Sequence, residues 1–468
     1  MEDVGEEGKV HILVIPFPDG QGHINPILQF SKRLAFKGLK VSVLNVLHEN
    51  NLTYQLIGSG SSGDRSSNSI INVEERPRAP YNGREPESIE SYMHRLKTSI
   101  CFHLTNLVTQ HQNSNSPFAC IVYDSVMPWI LDLARAFGLH GAPFFTQSCA
   151  ANAIFYHINC GSIKIPIAET CVLLPGLPLL HAPDLPSTLI PNFQENPLFL
   201  KLMIDQLHDL PDWTFINSFH GLEPQVIEWM KEHTPLKTVG PTVPSILIDK
   251  ELKDDHDYGM NLINSTEEDN KKIIEWLDSK ARRSVIYVSF GTTPNIGEDQ
   301  MKELAWGLKA TNKEFLWVIK EPEIPKLPHN FFEELKEMGM AVKWCSQVQV
   351  LAHKSVGCFV THCGWNSVLE ALTCGVPMVA MPQWADQMTN AKFVEDVWKV
   401  GVRVSPKDGG IVRRKEIEFC VRKVMEGEKS RKLRQNGRRW MKLAKEAVNE
   451  NGTSNKNIDD FVAHLTNR

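Results

Sequence analysis

The stretch WCSQVQVLAHKSVGCFVTHCGWNSVLEALTCGVPMVAMPQWADQ, residues 344–387, decides how the rest of the chain is read. Inside it, the apolar run VGCFV (356–360) has strand length and ends in THCGWNS. A helix is expected to start near Asn366 and to run through Glu370 to Thr373. A strand, a Gly-containing turn and a helix N-terminus together form an anion site, because backbone N–H groups and the positive end of the helix dipole point outward there. His362, Asn366 and Ser367 add side-chain donors at that point. A second apolar run, VPMVAM, ends in PQWADQ and places Asp386 and Gln387 at another strand terminus. Ligands of open α/β sheets sit beyond the carboxyl ends of the strands. A phosphate cradle beside an Asp-Gln pair suited to hydroxyl groups suggests a sugar nucleotide.

The flanking sequence repeats this pattern. VHILVIP (10–16) reads as a buried parallel strand, followed by the turn FPDGQGHINP and an amphipathic helix from about 24 to 37. Gly38 closes that helix before the strand KVSVLNVL. Further strands are expected at FACIVYD (118–124), GAPFFT (141–146) and DWTFINS (212–218), with helices over 87–110, 127–137, 148–160 and 223–231. Residues 161–195 show no clear period and are read as loops. A second series follows, with strands SVIYVSFGT (284–292), EFLWVIK (314–320), GMAVKW (339–344) and WKVGVRV (398–404). Its helices are expected over 298–310 and from Arg413 onward. The fold class is therefore α/β, with two Rossmann-like doubly wound domains. Expected boundaries are an N-terminal domain over 1–240, a linker over 241–269, a C-terminal domain over 270–450 and a final segment over 451–468. Asp255-His256-Asp257 has a D-x-D form, but no strand ends there, so a solvated acidic linker is expected.

Composition narrows the partners. The 468 residues carry a net charge of −5, with 42% hydrophobic residues. Neither nucleic acid nor a membrane surface is indicated, and no apolar run is long enough to span a bilayer. The acidic start MEDVGEEGKV lacks the features of a signal peptide. Ten scattered cysteines with no C-x-x-C pair suit a reduced, cytoplasmic chain. A monomer is expected.

The 344–387 stretch, including HCGWNS and WADQ, resembles the plant secondary-product glycosyltransferase box of the UDP-dependent glycosyltransferases. The resemblance implies the GT-B fold, with two lobes meeting at a cleft and a last helix (candidate 457–465) crossing back onto the N-terminal domain. It implies that Trp344 stacks on uracil and that the backbone of Cys345 pairs with the base edge. Gln347 and Glu370 would hold the ribose. His362, Trp365 through its backbone, Asn366 and Ser367 would hold the diphosphate, with Thr292 adding a phosphate contact and Thr146 a donor contact from the N-terminal side. Asp386 and Gln387 would read the sugar, and a Gln at the last position goes with UDP-glucose. No cofactor and no metal are implied; the helix N-terminus would stabilise the leaving UDP instead.

In the same family the first-turn histidine, here His23, is the general base. An imidazole can take a proton at neutral pH and gains from a carboxylate partner. Asp124, ending VYD, is the candidate partner. Alone, Asp124 could equally cap the following helix, as could Ser125. One departure is that two residues, Asp19 and Gly20, stand between P-F-P and Q-G-H where relatives usually have one. Gly20 could absorb the insertion at positive φ. An NAD(P)-dependent oxidoreductase is the alternative, read from Gly20-x-Gly22. Against it, Asn25 and Pro26 replace the third small residue of a dinucleotide fingerprint, and no acid ends the next strand cleanly, although Glu49 lies nearby.

The acceptor is less legible. Tyr81, Tyr92, Phe144, Phe145, Phe155, Leu180, Phe193, Phe199 and Met203 are candidates for an apolar pocket, each with ordinary core as the competing reading. YDSVMPW, TQSCA, KTVGPTVPS and FVEDVWKVG resemble a subgroup acting on small carboxylic acids and triterpenoids, including cucurbitane alcohols.

Overall fold

The run 10–16 has no polar residue except His11, and the chain buries all of it that forms the first strand, β1 (His11–Ile15). The computed structural model describes residues 9–18, 20–45, 70–72, 88–165, 167, 169–189, 197–252, 255–256, 258, 267–292, 296–329, 331–335, 338–406 and 410–467. Asp19, Glu49, Tyr81, Phe193 and the low-complexity run 58–69 lie outside these residues.

The elements of the first half are β1, α1 (Gln21–Phe36), β2 (Lys40–Asn45), β3 (Ile70–Asn72), α2 (Ile89–Gln112), β4 (Phe118–Asp124), α3 (Trp129–Ala136), β5 (His140–Phe145) and α4 (Cys149–Asn159). A small antiparallel pair, β6 (Cys171–Val172) and β7 (Leu180–His181), precedes α5 (Pro197–Asp205), β8 (Thr214–Ile216), α6 (Pro224–Lys231) and β9 (Leu236–Thr238). The second half runs α7 (Glu267–Asp278), β10 (Val285–Ser289), α8 (Glu298–Ala310), β11 (Phe315–Val318), α9 (Phe331–Leu335), β12 (Gly339–Val342), α10 (Gln347–Ala352) and β13 (Val356–Thr361). It ends α11 (Trp365–Cys374), β14 (Met378–Ala380), α12 (Gln387–Lys392), β15 (Gly401–Arg403), α13 (Arg414–Met425), α14 (Gly427–Val448) and α15 (Thr453–Thr466).

The chain forms two units. Among the described residues, the first holds a seven-stranded parallel sheet ordered β3-β2-β1-β4-β5-β8-β9. The chain leaves β1 toward β2 and β3, then returns to place β4 on β1's other side, with Ile15 opposite Tyr123. That reversal is a topological switch point, where side chains from the loops after β1 and β4 converge. The second unit repeats the scheme in a six-stranded parallel sheet ordered β12-β11-β10-β13-β14-β15. Its switch point lies between β10 and β13, with Ser289 opposite Thr361.

Aromatic packing explains why α15 joins the first unit. Phe30 of α1 lies 5.3 Å from Phe144 and 4.9 Å from Phe215, and Phe461 of α15 lies 4.9 Å from Phe215. Ser454 donates to the Gly240 carbonyl at 2.6 Å and Asn457 to that of Thr238 at 2.8 Å.

Two expectations change, and for four of the apolar candidates the competing reading as core holds. Residues 166–190, which the sequence places in the N-terminal domain, pack with the second unit, because buried Asp184 pairs there with Arg403 at 2.7 Å. Asp255 is not solvated: it is buried and accepts the Ser245 N–H at 2.6 Å, closing a turn of the connecting segment. Phe144, Phe145 and Phe155 are core of the first unit, and Leu180 is buried in the second. Phe144 and Phe145 point to opposite faces of the sheet and neither is more than 1% exposed, so both faces are covered there.

Glu223 links this frame to its loops. It is 2% exposed and accepts the N–H groups of Cys149 (3.1 Å) and Ala150 (2.8 Å) at the start of α4, and the Ser218 hydroxyl (2.5 Å). Ser148 caps the next N–H, that of Ala151, at 3.2 Å. The open donors of that helix end are thus met by two side chains. Glu223→Ala would leave three buried donors unpaired, and should lower stability by at least about 2 kcal/mol, read as a drop in the urea midpoint; Glu223→Gln should lose less.

Candidate active site

At the first switch point the backbone presents the imidazole. Gly20 has φ +111°, a conformation open to glycine, and it starts α1 directly at Gln21. His23 therefore lies in the first helical turn, its N–H on the Gly20 carbonyl at 3.1 Å. Asp19, the other residue between P-F-P and Q-G-H, is outside the described residues. β4 carries Asp124 to the same point. His23 Nδ1 donates to Asp124 Oδ2 at 2.8 Å. The carboxylate has no exposed surface, while the His23 side chain is 29% exposed. Asp124 Oδ1 accepts the Val126 N–H at 3.2 Å.

A carboxylate accepts and cannot donate, so this bond fixes the proton on Nδ1 and leaves the lone pair on Nε2. Thr146 Oγ1 is also 3.2 Å from His23 Nδ1, and the Phe17 ring meets the imidazole edge-on at 5.3 Å. The capping role considered for Asp124 and Ser125 does not occur. α3 begins only at Trp129 with Pro128 before it, and Ser125 donates instead to Gln206 Oε1 at 2.8 Å.

The second switch point gathers the 344–387 residues. α11 starts at Trp365, one residue earlier than the sequence predicts, behind Gly364, which brings no capping side chain. The Trp365 ring turns inward toward Trp398, at 6.1 Å, so the residue offers its backbone to the helix end. His362, 8% exposed, opens the turn after β13. Its Nε2 lies where a side chain on either flanking glycine would intrude: a Cβ at Gly291 would be 2.8 Å away and one at Gly364 2.5 Å. Burial lowers the His362 pKa to about 4, helped by the charge of Lys320 and against a Ser289 backbone hydrogen bond, so the ring is neutral at physiological pH. Thr292 follows Gly291 and is exposed; its carbonyl accepts Lys320 Nζ at 2.5 Å.

Gln347 and Glu370 meet directly. Gln347 Nε2 donates to Glu370 Oε2 at 2.5 Å and to Ser367 Oγ at 2.9 Å, and its carbonyl accepts Tyr287 Oη at 3.0 Å. Tyr258, from the connecting segment, donates to Glu370 Oε1 at 2.8 Å. No signal in the sequence ties Tyr258 to Glu370, because the two are separated by 112 positions. Trp344 is half-buried and Cys345 buried, its Sγ 3.4 Å from Tyr287 Oη. At the end of the stretch, Gln387 Oε1 accepts the N–H groups of Gln383 (2.9 Å) and Trp384 (3.2 Å). Asp386 Oδ2 accepts Asn390 Nδ2 at 2.8 Å.

Residues 255–434 match the family model "UDP-glucoronosyl and UDP-glucosyl transferase". Over 467 residues the chain is 46% identical to mogroside I-E synthase of Siraitia grosvenorii, covering 98% of this chain and 99% of that protein. The chain belongs to the plant family 1 UDP-glycosyltransferases. This glycosyltransferase is also 45% identical to UDP-glycosyltransferase 74E2 of Arabidopsis thaliana, over 97% of this chain and 98% of that one. The crystal structure of Os79 from O. sativa in complex with UDP superposes with a TM-score of 0.84 at 33% identity, over 97% of this chain and 100% of the other. The glycosyltransferase thus has the GT-B fold, and the oxidoreductase alternative finds no support. Among the described residues, no group of three or more His, Cys, Asp or Glu is arranged to hold a metal ion, and no helix is long and apolar enough to cross a membrane.

Burial pushes the Glu370 carboxyl up to about 7, against hydrogen bonds from Gln347 and Tyr258 that favour the charged form. The folded chain therefore holds this proton to about pH 7, whereas an unfolded chain releases it near the ordinary glutamate value. The contribution of this group is most favourable below the unfolded pKa and is lost as pH rises to about 7. Relative to Glu370→Gln, the ligand-free wild type should lose up to about 3 kcal/mol between pH 5 and pH 8, measured by urea unfolding.

Proposed function

We propose that this glycosyltransferase moves glucose from UDP-glucose to a hydroxyl or carboxyl oxygen of a hydrophobic secondary metabolite, with inversion, giving a β-glucoside or a glucose ester. The observation that carries the proposal is the 2.8 Å hydrogen bond from His23 Nδ1 to fully buried Asp124, which turns Nε2 into a base of fixed orientation.

In this reading the acceptor oxygen attacks the anomeric carbon while Nε2 takes its proton. The bond from that carbon to the diphosphate oxygen breaks, and UDP leaves with the electron pair. Attack opposite to the leaving group converts the α-linked donor into a β-linked product. Asp124 stabilises the imidazolium that forms and is not itself protonated. The N-terminus of α11, with His362, Asn366 and Ser367, holds the diphosphate, and Thr292 adds a contact. Neutral His362 and the backbone donors stabilise the charge growing on UDP without a metal ion. Trp344 and the Cys345 backbone take uracil, and Gln347 with Glu370 takes the ribose. Asp386 and Gln387 read the sugar. Backbone donors occupy the Gln387 carbonyl, which directs the amide nitrogen toward a sugar oxygen. Thr146, against His23 Nδ1, serves the imidazole as well as any donor contact.

A triterpenoid or related hydrophobic metabolite, such as a cucurbitane alcohol, is the favoured acceptor. Support comes from the resemblance of YDSVMPW, TQSCA, KTVGPTVPS and FVEDVWKVG to a subgroup acting on small carboxylic acids and triterpenoids, and from a relative named mogroside I-E synthase. Among the described apolar candidates, Tyr92 and Phe199 are half-buried. Met203 is buried, with its sulfur 3.0 Å from Gln147 Nε2. Ten free thiols favour a reducing, cytoplasmic setting.

The test is transfer from UDP-glucose to a panel of triterpenoid alcohols and carboxylic acids, read by product mass. The wild type should add one hexose to at least one of them. His23→Ala should reduce transfer to an alcohol by roughly 10²–10⁴-fold while UDP affinity by calorimetry stays within about twofold of wild type. Full activity of His23→Ala would refute the base assignment.

A further inference from the structure

The turn ahead of Asp386 contains a strained residue. Ala385 has φ +54°, the left-handed region that a residue with a side chain adopts at a cost. It is held there from both sides by a residue 198 positions earlier. Ser187 Oγ accepts the Ala385 N–H at 2.7 Å, and the Ser187 N–H donates to the Ala385 carbonyl at 3.1 Å. The same short segment grips the elements that follow the turn. The Asp184 carbonyl accepts the Thr389 hydroxyl of α12 at 2.8 Å. The Asp184 carboxylate pairs with Arg403 of β15 at 2.7 Å and with Lys392 of α12 at 3.4 Å, and it accepts the His181 N–H at 2.9 Å. Arg403 also donates to the Pro183 carbonyl at 2.6 Å. Asp184, Ser187 and Thr389 are all buried, so water does not compete for these bonds.

Between these anchors lie Asp386 and Gln387. Gln387 accepts from the backbone of Gln383 and Trp384, so its amide follows wherever this turn is set. We propose that residues 181–189 govern recognition of the donor sugar by fixing the turn at Ala385, and that Ser187 is the positioning residue through which they act. This rests on the reading of Asp386 and Gln387 as the sugar-contacting pair. A segment nearly two hundred residues away in sequence thereby becomes part of the donor site without touching the donor.

The experiment uses the full chain and calorimetric affinities for UDP-glucose, UDP-galactose and UDP, so no acceptor is required. Ser187→Ala should weaken UDP-glucose by about five- to tenfold, the effect of losing one buried hydrogen bond. It should narrow the preference for UDP-glucose over UDP-galactose and leave UDP within about twofold. Ser187→Thr, which keeps the hydroxyl, should recover most of the loss. Unchanged sugar-nucleotide affinities in Ser187→Ala would overturn the proposal. So would an equal loss for UDP, because the residue would then be a general structural brace. Gln387→Asn separates the two layers of the argument. If it leaves the UDP-glucose to UDP-galactose ratio unchanged, the sugar-reading assignment fails and this proposal with it. If it shifts the ratio while Ser187→Ala does not, only the role of residues 181–189 fails.

Discussion

A carboxylate without exposed surface persists in a protein only where donors surround it. Asp124 meets that condition with the His23 imidazole and the Val126 N–H, and much of the first unit serves the arrangement. β4 must end at Asp124 and lie beside β1. α1 must begin at once after β1, which Gly20 permits through its positive φ. The Phe30, Phe144 and Phe215 cluster fixes α1 against the sheet, so that His23 is held by a packed helix and not by a loose loop. The resulting imidazole has one nitrogen committed to a buried acceptor and a ring that is still partly exposed. Those are the requirements for moving a proton to and from a ligand.

The second unit applies the same topology to a different task. Its switch point places Gly291 and His362 together, as the first places His23 and Asp124. Here two glycines, Gly291 and Gly364, make room for the His362 ring beside the start of α11. Both turns of the 344–387 stretch contain a non-glycine residue in the left-handed region, Cys363 before the helix end and Ala385 before Asp386. Strain at these two points is sustained by surrounding hydrogen bonds, from the Cys363 N–H to Thr361 Oγ1 at 3.2 Å and between Ala385 and Ser187. Local strain held by a rigid frame is common where a ligand must be met in one geometry.

The sequence showed the sheet units well because buried parallel strands are short unbroken apolar runs. FACIVYD coincides with β4, and the helix over 298–310 coincides with α8. The candidate site residues were legible because they are packed into one motif or stand at strand ends. What stayed hidden depends on contacts distant in sequence. Nothing in APDLPS announces that Asp184 will meet Arg403, some 220 positions away, or that this segment will pack with the second unit. Asp255 and Tyr258 sit in an acidic, aperiodic stretch, yet one is buried on Ser245 and the other donates to Glu370. Phe144 and Phe145 were ambiguous for another reason: a strand covered on both faces gives the same apolar pattern as the wall of an apolar pocket.

The proposed reaction depends on the role of the His23 imidazole, held by a buried carboxylate, as the base that activates the acceptor. Its most direct measurement is the factor by which His23→Ala slows transfer across accepted substrates of graded acidity, from aliphatic alcohols through phenols to carboxylic acids. The factor should be large for alcohols and shrink steadily as the acceptor's own pKa falls, nearly vanishing for carboxylates, which carry no proton to remove. A factor that is the same at every acidity would contradict that role.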